Sequence, residues 1–336
     1  MRFSDYGKTY PDLAWVIWEF FSDHTIKNML INDWECRGFN PDYAPKCVAD
    51  FLHKFDKQYT EIDGQRGVGI QPRTIAKICD KLCEHGILRA VAVSGINNFD
   101  NIMNFYESGL AGSRDEIFKQ KNILSRRMNN LIYGFAYIYE SNRVNVRPIW
   151  VKKDGALSNG TCFNSAYGIV TAMHCLEGCS EIQIEGIEAD VLKSAKIYGK
   201  DKIDLVLIIP QCDYQWNDKF MPDNCEVLDE IMVMGYPNHS GFDRFLTTTV
   251  GSVAAIEQSY LVEYKQMLLT GKIKGGNSGG PVVDINGSVV GIVTEHPSAK
   301  GDYDNFGYGI AIPSSYLTEL EEINNNFNFT DKISDI

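Results

Sequence analysis

Apolar residues recur at helical spacing in three segments of the first hundred residues. The spacing predicts helices at residues 13–21, 45–55 and 72–85. Pro72 suits the first turn of the third helix, and Gly86 suits its end. The first third of the chain is therefore expected to be mainly helical.

A β-type run follows the third helix. Residues 87–93 predict a strand that enters a turn, and a returning strand is expected near Phe105. Three helices followed by two strands resemble a winged helix-turn-helix domain. Its exposed face would carry Arg73, Lys77 and Lys81, which share one side of the third helix.

This basic face has three interpretations. It could contact DNA, dock a regulatory protein partner or simply be solvated. Asp80 and Glu84 dilute its positive charge, and the surrounding sequence is not basic, so protein docking or dimerisation is preferred over DNA binding.

Residues 113–140 predict one long connecting helix, with Ser113 as its N-cap and Glu116 three residues later. The predicted organisation is multidomain α + β. It comprises a winged-helix-like recognition or adaptor domain at 1–112, the connecting helix at 113–141 and a second domain at 142–336. Near the end of the chain, we expect a helix at 314–323 and a frayed asparagine-rich tail at 324–328.

Composition narrows the class of protein. The chain has 336 residues, 44% of them hydrophobic, which suffices for about two globular domains. The first 141 residues carry 17 basic and 18 acidic side chains, so nearly all of the net charge of −12 lies in the second domain. An acidic second domain argues against nucleic-acid binding through that half.

Cellular location is inferred from the start of the sequence and from its cysteines. The first ten residues are polar and mixed, and no apolar run is long enough to span a membrane. Nine cysteines cannot all pair with one another, which fits a reducing compartment. We therefore expect a cytoplasmic protein without a membrane partner.

Three short stretches of the second domain carry the candidate chemistry. Positions 275–282 read GGNSGGPV, which places Ser278 on a tight glycine turn where backbone amides can converge. Upstream, a β-type run ends in TAMHC at 171–175, and DLVLI opens another strand at 204–208. A histidine, an aspartate and a serine therefore follow one another in chain order.

These stretches resemble three motifs of the chymotrypsin/trypsin clan, in the family's order. The resemblance implies a double β-barrel serine endopeptidase in which His174 is the general base, Asp204 orients it and Ser278 is the nucleophile. The amides of Gly276 and Ser278 would form the oxyanion hole. Asp201 is the nearest alternative to Asp204, which is preferred because it directly precedes the apolar strand.

Other segments look closer to the Deg/HtrA branch of this clan. They are MVMGYP at 232–237, GSVVGIVT at 287–294 and GYGIAIP at 307–313. Asn277 stands where trypsin-like zymogens carry an aspartate that pairs with a newly released N-terminal amine. A neutral amide cannot form that ion pair, so activation by such a cleavage is not expected.

The resemblance also implies a primary specificity pocket lined by Lys272, Ile273, Thr294, Glu295, His296 and Gly309. Lys272 stands where enzymes that cut after Arg or Lys carry an aspartate. A lysine supplies no counter-charge for a basic substrate side chain. Cleavage is therefore expected after a small or medium apolar residue, or after an acidic one.

The cysteines offer two further candidates. Cys162 and Cys175 stand where extracellular relatives have a disulfide, and we expect two free thiols. Cys79, Cys83 and His85 could suggest a metal site, but no second ligand cluster accompanies them, so helix-packing thiols are preferred. The proposed chemistry requires no metal or organic cofactor.

The functional hypothesis is a cytosolic serine endopeptidase that cleaves a partner protein and is gated by its N-terminal domain. The domain combination looks like effector modules of bacterial immune systems, an analogy at the level of fold. The alternative is a winged-helix DNA- or protein-binding regulator whose protease fold is not catalytic.

Overall fold

The computed structural model divides the chain into two compact units, Met1–Tyr137 and Ile138–Ile336. The residues that the structure describes are 7–23, 45–55, 61–62, 65–66, 70–92, 104–216, 218–238, 245–258, 262–294 and 307–333.

The first unit combines helices with a small antiparallel sheet. Its elements are α1 (Leu13–Phe21), β1 (Lys46–Cys47), α2 (Val48–Lys54), β2 (Glu61–Ile62), β3 (Gln65–Arg66), α3 (Pro72–Glu84), β4 (Leu88–Ala92) and β5 (Phe105–Ser108). The sheet order is β1-β5-β4, and β2 pairs with β3. The predicted first and third helices and both strands are confirmed, whereas the second helix is shorter because Lys46–Cys47 pairs with β5.

The core of this unit is formed by the apolar faces of its helices. Trp15, Trp18 and Phe21 of α1 are fully or almost fully buried. The Trp18 indole N–H donates to the Ser108 hydroxyl at 3.2 Å. Burial of such large aromatic groups supplies much of the apolar area that a unit of this size requires.

The predicted long connecting helix is wrong in its continuity. Three helices occupy that stretch: α4 (Arg114–Lys119), α5 (Lys121–Tyr133) and α6 (Phe135–Asn142). Gly134 has φ of +62°, a left-handed conformation that ends α5. The predicted start is confirmed, because the Ser113 hydroxyl accepts from the Glu116 amide and the Glu116 carboxylate accepts from the Ser113 amide.

The second unit begins with a seven-stranded antiparallel sheet. Its strands are β6 (Val146–Lys153), β7 (Ala156–Ser165), β8 (Gly168–Thr171), β9 (Glu181–Ile184), β10 (Lys196–Lys200), β11 (Ile203–Ile209) and β18 (Glu321–Ile323), with the short helix α7 (Ala189–Lys193) between β9 and β10. The strand order is β18-β10-β11-β8-β7-β6-β9. Its interior is packed with Ile, Val and Leu side chains.

The remaining strands form a closed six-stranded barrel. They are β12 (Glu230–Gly235), β13 (Thr247–Gln258), β14 (Lys265–Leu269), β15 (Pro281–Asp284), β16 (Val289–Val293) and β17 (Gly309–Pro313). Their order is β12-β13-β14-β17-β16-β15. The predicted double barrel is therefore confirmed for one barrel, while the other is an open sheet in its strand pairing.

The end of the chain differs from both predictions made for it. A short 3-10 helix at Ser314–Glu319 and strand β18 replace the expected helix, and β18 pairs with β10. The tail is held rather than frayed, because the Asn328 carbonyl accepts from the Ile182 amide at 2.9 Å and Phe329 is buried. The C-terminal segment thus pairs with both edge strands of the open sheet, which helicity patterns alone could not reveal.

No helix among the described residues is long and apolar enough to cross a membrane.

Candidate active site

His174 and Asp204 are joined by two hydrogen bonds. His174 lies in the 3-10 turn Met173–Cys175 that follows β8, and Asp204 is the second residue of β11, which pairs with β8. The imidazole Nδ1 lies 2.6 Å from the Asp204 carboxylate, and the His174 amide donates to the same carboxylate at 2.7 Å. Two contacts to one carboxylate fix both the position and the orientation of the ring.

Asp201, the alternative partner, lies elsewhere. It sits on the exposed turn before β11 and lines a cavity of about 590 Å³ beside His174 and Asp204. Lys202 and Tyr264 line the same cavity. Asp201 therefore lines a cavity next to His174, whereas the carboxylate that holds the imidazole is that of Asp204.

Thr294 has a different place from the one expected. Its hydroxyl donates a short hydrogen bond to the Asp204 carboxylate, and the residue is buried. Thr294 was expected to line the specificity pocket, and its sequence position gives no sign of this contact. The hydrogen bond forms because the fold brings the end of β16 next to the start of β11. The sequence could not indicate it, since the two residues lie 90 positions apart.

The environment of His174 changes the pKa of its imidazole. Burial lowers its pKa, but the hydrogen bond and charge of Asp204, together with the Cys175 thiol, outweigh burial and raise the pKa above its usual value. The Cys175 sulfur lies 3.8 Å from His174 Nε2 and 3.8 Å from the Ser278 carbonyl oxygen. One thiol therefore contacts both residues.

Ser278 sits on the turn that leads into β15. Gly276 and Gly279 have φ of +96° and +83°, conformations in which a side chain would be strained. A Cβ on Gly276 would lie 2.5 Å from the Tyr236 carbonyl oxygen, and one on Gly279 would lie 2.2 Å from the Thr161 carbonyl oxygen. Glycine is thus required at both positions by backbone conformation and by close packing.

The carbonyl groups from Lys274 to Ser278 all accept hydrogen bonds. The Gly275 carbonyl accepts from the Asn238 amide at 2.9 Å, and the Ser278 carbonyl accepts from the Thr161 amide at 2.8 Å. The Gly276 carbonyl accepts from the Thr161 hydroxyl at 2.7 Å. Because C=O and N–H point in opposite directions across a trans peptide, the bond to Asn238 aims the Gly276 amide away from residue 238.

The amides of Gly276 and Ser278 have no acceptor among the residues that the structure describes. The Ser278 side chain makes no hydrogen bond with those residues either, and unliganded nucleophile–base contacts are often long. Two unengaged amides flanking a serine hydroxyl can bind an oxygen atom that becomes negatively charged. The turn therefore has the chemistry of a nucleophile site.

The remaining pocket residues are only partly described. Glu295 and His296 lie outside the described residues. Ile273 and Gly309 are brought together, since a Cβ on Gly309 would lie 2.4 Å from Ile273 Cδ1. The Lys272 side chain is exposed, so it is not part of an enclosed pocket.

Cys162 and Cys175 are both free thiols, as are Cys79 and Cys83. The Cys162 thiol contacts the Arg147 carbonyl. The Cys175 sulfur packs against Gly160, since a Cβ added to Gly160 would lie 2.7 Å from it. In the first unit, Cys79 packs in the helical core. Within the described ranges, no three His, Cys, Asp or Glu side chains are grouped as metal ligands would be.

Comparison with known proteins identifies the second unit. Residues 158–292 match the family model described as a trypsin-like peptidase domain. The chain carries a trypsin-like serine protease domain. The domain spans β7 to β16 and includes His174, Asp204 and Ser278.

Curated relatives place the protease domain in the Deg/HtrA branch. A probable periplasmic DegP-like serine endoprotease of Chlamydia trachomatis is 32% identical over 230 residues, which are 67% of this chain and 44% of that one. The periplasmic endoprotease DegP of Salmonella typhimurium is 33% identical over 172 residues, covering 49% of this chain and 35% of that one. The chain thus spans less than half the length of these relatives.

A solved serine endoprotease from Yersinia pestis shows a distant likeness. Its TM-score is 0.41 at 19% identity, with coverage of 54% of this chain and 63% of that chain. The match adds nothing to the sequence comparison.

The expectation of a cytoplasmic location is wrong. The curated relatives are named periplasmic endoproteases, which points to the periplasm. The inference failed because an odd number of cysteines shows only that one thiol has no partner within the chain. It does not report the redox state of the compartment.

The contacts of His174 predict its titration. In the Ser278→Ala protein, NMR should give His174 a pKa above the usual value of about 6.5, because Asp204 stabilises the charged ring. Asp204→Asn should lower it. With a raised pKa in the folded state, stabilisation by this contact is full below the unfolded value and is lost as pH rises through the folded value. An unchanged pKa in Asp204→Asn would contradict the assignment.

Proposed function

We propose that the protease domain hydrolyses peptide bonds of protein substrates through His174, Asp204 and Ser278. The observation that carries the proposal is the glycine turn, in which the carbonyls from Lys274 to Ser278 are engaged while the Gly276 and Ser278 amides have no acceptor within the described part of the chain. A turn built in this way is prepared to receive an oxyanion before substrate arrives, so little reorganisation is required during the reaction.

In the proposed mechanism, the Ser278 hydroxyl oxygen attacks the substrate carbonyl carbon. His174 accepts the hydroxyl proton and then donates it to the leaving amine, while Asp204 stabilises the charged imidazole. The Gly276 and Ser278 amides hold the oxyanion. Water then attacks the acyl group, and His174 again transfers the proton, which restores the Ser278 hydroxyl.

Thr294 has a supporting role in this proposal. Its hydroxyl donates to the same Asp204 carboxylate that accepts from His174. Asp204 therefore receives hydrogen bonds from the ring, from the His174 amide and from Thr294. These three bonds hold the carboxylate in the position from which it orients the imidazole.

Substitutions in the triad should lower activity as a unit. Ser278→Ala and His174→Ala should each reduce kcat for peptide hydrolysis by roughly 10⁴-fold or more, and the double substitution by about the same factor. Asp204→Asn should cost nearly as much by favouring the wrong tautomer of the imidazole. Asp201→Asn is the matched control and should remain close to wild type. Additive losses in the double variant would exclude the proposed roles.

We propose that the enzyme cleaves after small or medium apolar residues. Ile273 packs over Gly309 and against the barrel core, and in this proposal the pair limits the size of the primary specificity pocket. Lys272 is exposed, so its charge is solvated and should attract an acidic substrate residue only weakly.

Ile273→Ala should widen this pocket and shift preference towards larger residues such as Leu or Phe. Since one methylene group is worth about 1–3 kcal/mol in such pockets and the substitution removes three carbons, the ratio of kcat/KM values should change by at least roughly 10- to 200-fold. Peptide-library profiling measures the shift, with Lys272→Ala as an exposed control. An unaltered profile for Ile273→Ala would place the pocket elsewhere.

We further propose that the first unit is a winged-helix-like module that docks a regulatory partner. Support comes from its element order and from the three-stranded sheet order β1-β5-β4. Arg73, Lys77 and Lys81 are exposed on α3, and the Lys81 ammonium donates to the Leu131 carbonyl at 3.4 Å. A role in bacterial defence remains a prediction from analogy.

Gating by the first unit has a direct test. If that unit holds the protease inactive, a protein comprising residues 138–336, the second unit, should hydrolyse peptides faster than the intact chain. Circular dichroism must first show that the shortened protein is folded. Equal rates of the two folded proteins would argue against inhibition, and an inactive shortened protein would indicate that the first unit supports activity.

A further inference from the structure

Thr161 connects two segments that surround the nucleophile turn. It lies on β7, and no part of it is exposed. Its hydroxyl accepts from the Tyr236 amide at 2.9 Å and donates to the Gly276 carbonyl at 2.7 Å. Its own amide donates to the Ser278 carbonyl at 2.8 Å. One residue of the open sheet thus holds the turn at two carbonyls.

Tyr236 is itself held at several points. Its carbonyl accepts from the Asn159 side-chain amide at 2.8 Å, and its phenol donates to the Val146 carbonyl at 3.2 Å. The Tyr236 amide is therefore held in place as a donor to the Thr161 hydroxyl oxygen. The Thr161 hydroxyl hydrogen must point away from that amide. Because the Tyr236 N–H occupies the oxygen as an acceptor, the hydroxyl hydrogen is available for Gly276.

The two peptide planes at Gly276 are consequently fixed from opposite sides. Asn238 engages the Gly275 carbonyl, which sets the plane that contains the Gly276 amide. Thr161 engages the Gly276 carbonyl, which sets the following plane. Glycine rotates freely about its backbone bonds, so a turn with only one of these planes fixed could rotate the amide away from the oxyanion.

We propose that Thr161 is a positioning residue whose hydroxyl holds the Gly276 carbonyl and thereby keeps the oxyanion turn in its reactive conformation. The inference rests on the proposed function of that turn. Thr161 touches neither substrate nor the reacting atoms in this proposal. Its effect is exerted through the Gly276 and Ser278 backbone, so it should act on the transition state more than on substrate binding.

The experiment compares Thr161→Val with Thr161→Ser in the full chain. Valine keeps the branched shape and removes the hydroxyl, whereas serine keeps the hydroxyl. Thr161→Val should lower kcat by about 10- to 100-fold, the range expected when a reacting group is misplaced slightly, with KM changed less than about twofold. Thr161→Ser should restore most of kcat.

Ser165 provides a matched control on the same strand. It is also fully buried, and its hydroxyl accepts from the Tyr167 amide and donates to the Gly168 carbonyl. Ser165→Ala should leave kcat unchanged even if it lowers the unfolding temperature. A loss of kcat in Ser165→Ala equal to that in Thr161→Val would show a general packing effect and would overturn the proposal.

A second measurement does not depend on turnover. In the Ser278→Ala background, hydrogen exchange of the Asn277 and Gly280 amides, which close the turn, should be faster with Thr161→Val than with Thr161→Ser or Ser165→Ala. Unchanged exchange would overturn the proposal. If wild type fails to hydrolyse peptides while Thr161→Val still accelerates exchange, the proposed function fails and the positioning role stands.

Discussion

The constraint on which the site depends is that every carbonyl from Lys274 to Ser278 accepts a hydrogen bond. Their donors come from the turn itself, from Asn238 and from Thr161. With the carbonyls fixed, the directions of the intervening amides are fixed as well. The Gly276 and Ser278 amides then remain without acceptors among the described residues, and the serine stands between them.

This constraint explains why the nucleophile turn needs both parts of the second unit. The closed barrel supplies the turn and the segment that includes Tyr236 and Asn238, while the open sheet supplies Thr161, His174 and Asp204. Thr294, which follows barrel strand β16, donates a hydrogen bond to the Asp204 carboxylate. In the proposed mechanism, neither part alone supplies the serine, the histidine and the backbone donors for an oxyanion.

Features with a local cause could be predicted from the sequence. The turn at 275–282 follows from its glycines, and the capped start of α4 follows from Ser113 and Glu116. The Thr161–Gly276 hydrogen bond could not be predicted, since it joins residues 115 positions apart and depends on how β7 meets the turn. The contact between Thr294 and Asp204 could not be predicted either, because the two residues lie 90 positions apart.

The errors in the fold also have physical causes. Residues 113–140, which are polar early and apolar late, were expected to form one helix, but a first helix ends at its C-cap Gln120 and Gly134, with φ of +62°, ends the next. The asparagine tail looked frayed because its composition is polar, yet its backbone pairs with β9 and the adjacent Phe329 is buried. The composition of a segment indicates its conformational preference in isolation. Its conformation in the folded protein depends on the backbone pairing it makes with the rest of the chain.

The most direct test of the central claim is reaction of the intact chain with a fluorophosphonate probe, with the modified residue located by mass spectrometry. Asn277 cannot form an ion pair with a freed amine, and the turn is already shaped, so the account predicts modification of Ser278 without prior cleavage of the chain. Ser278→Ala should not react. Folded wild-type protein that leaves Ser278 unmodified would contradict the claim that this turn is a prepared nucleophile site.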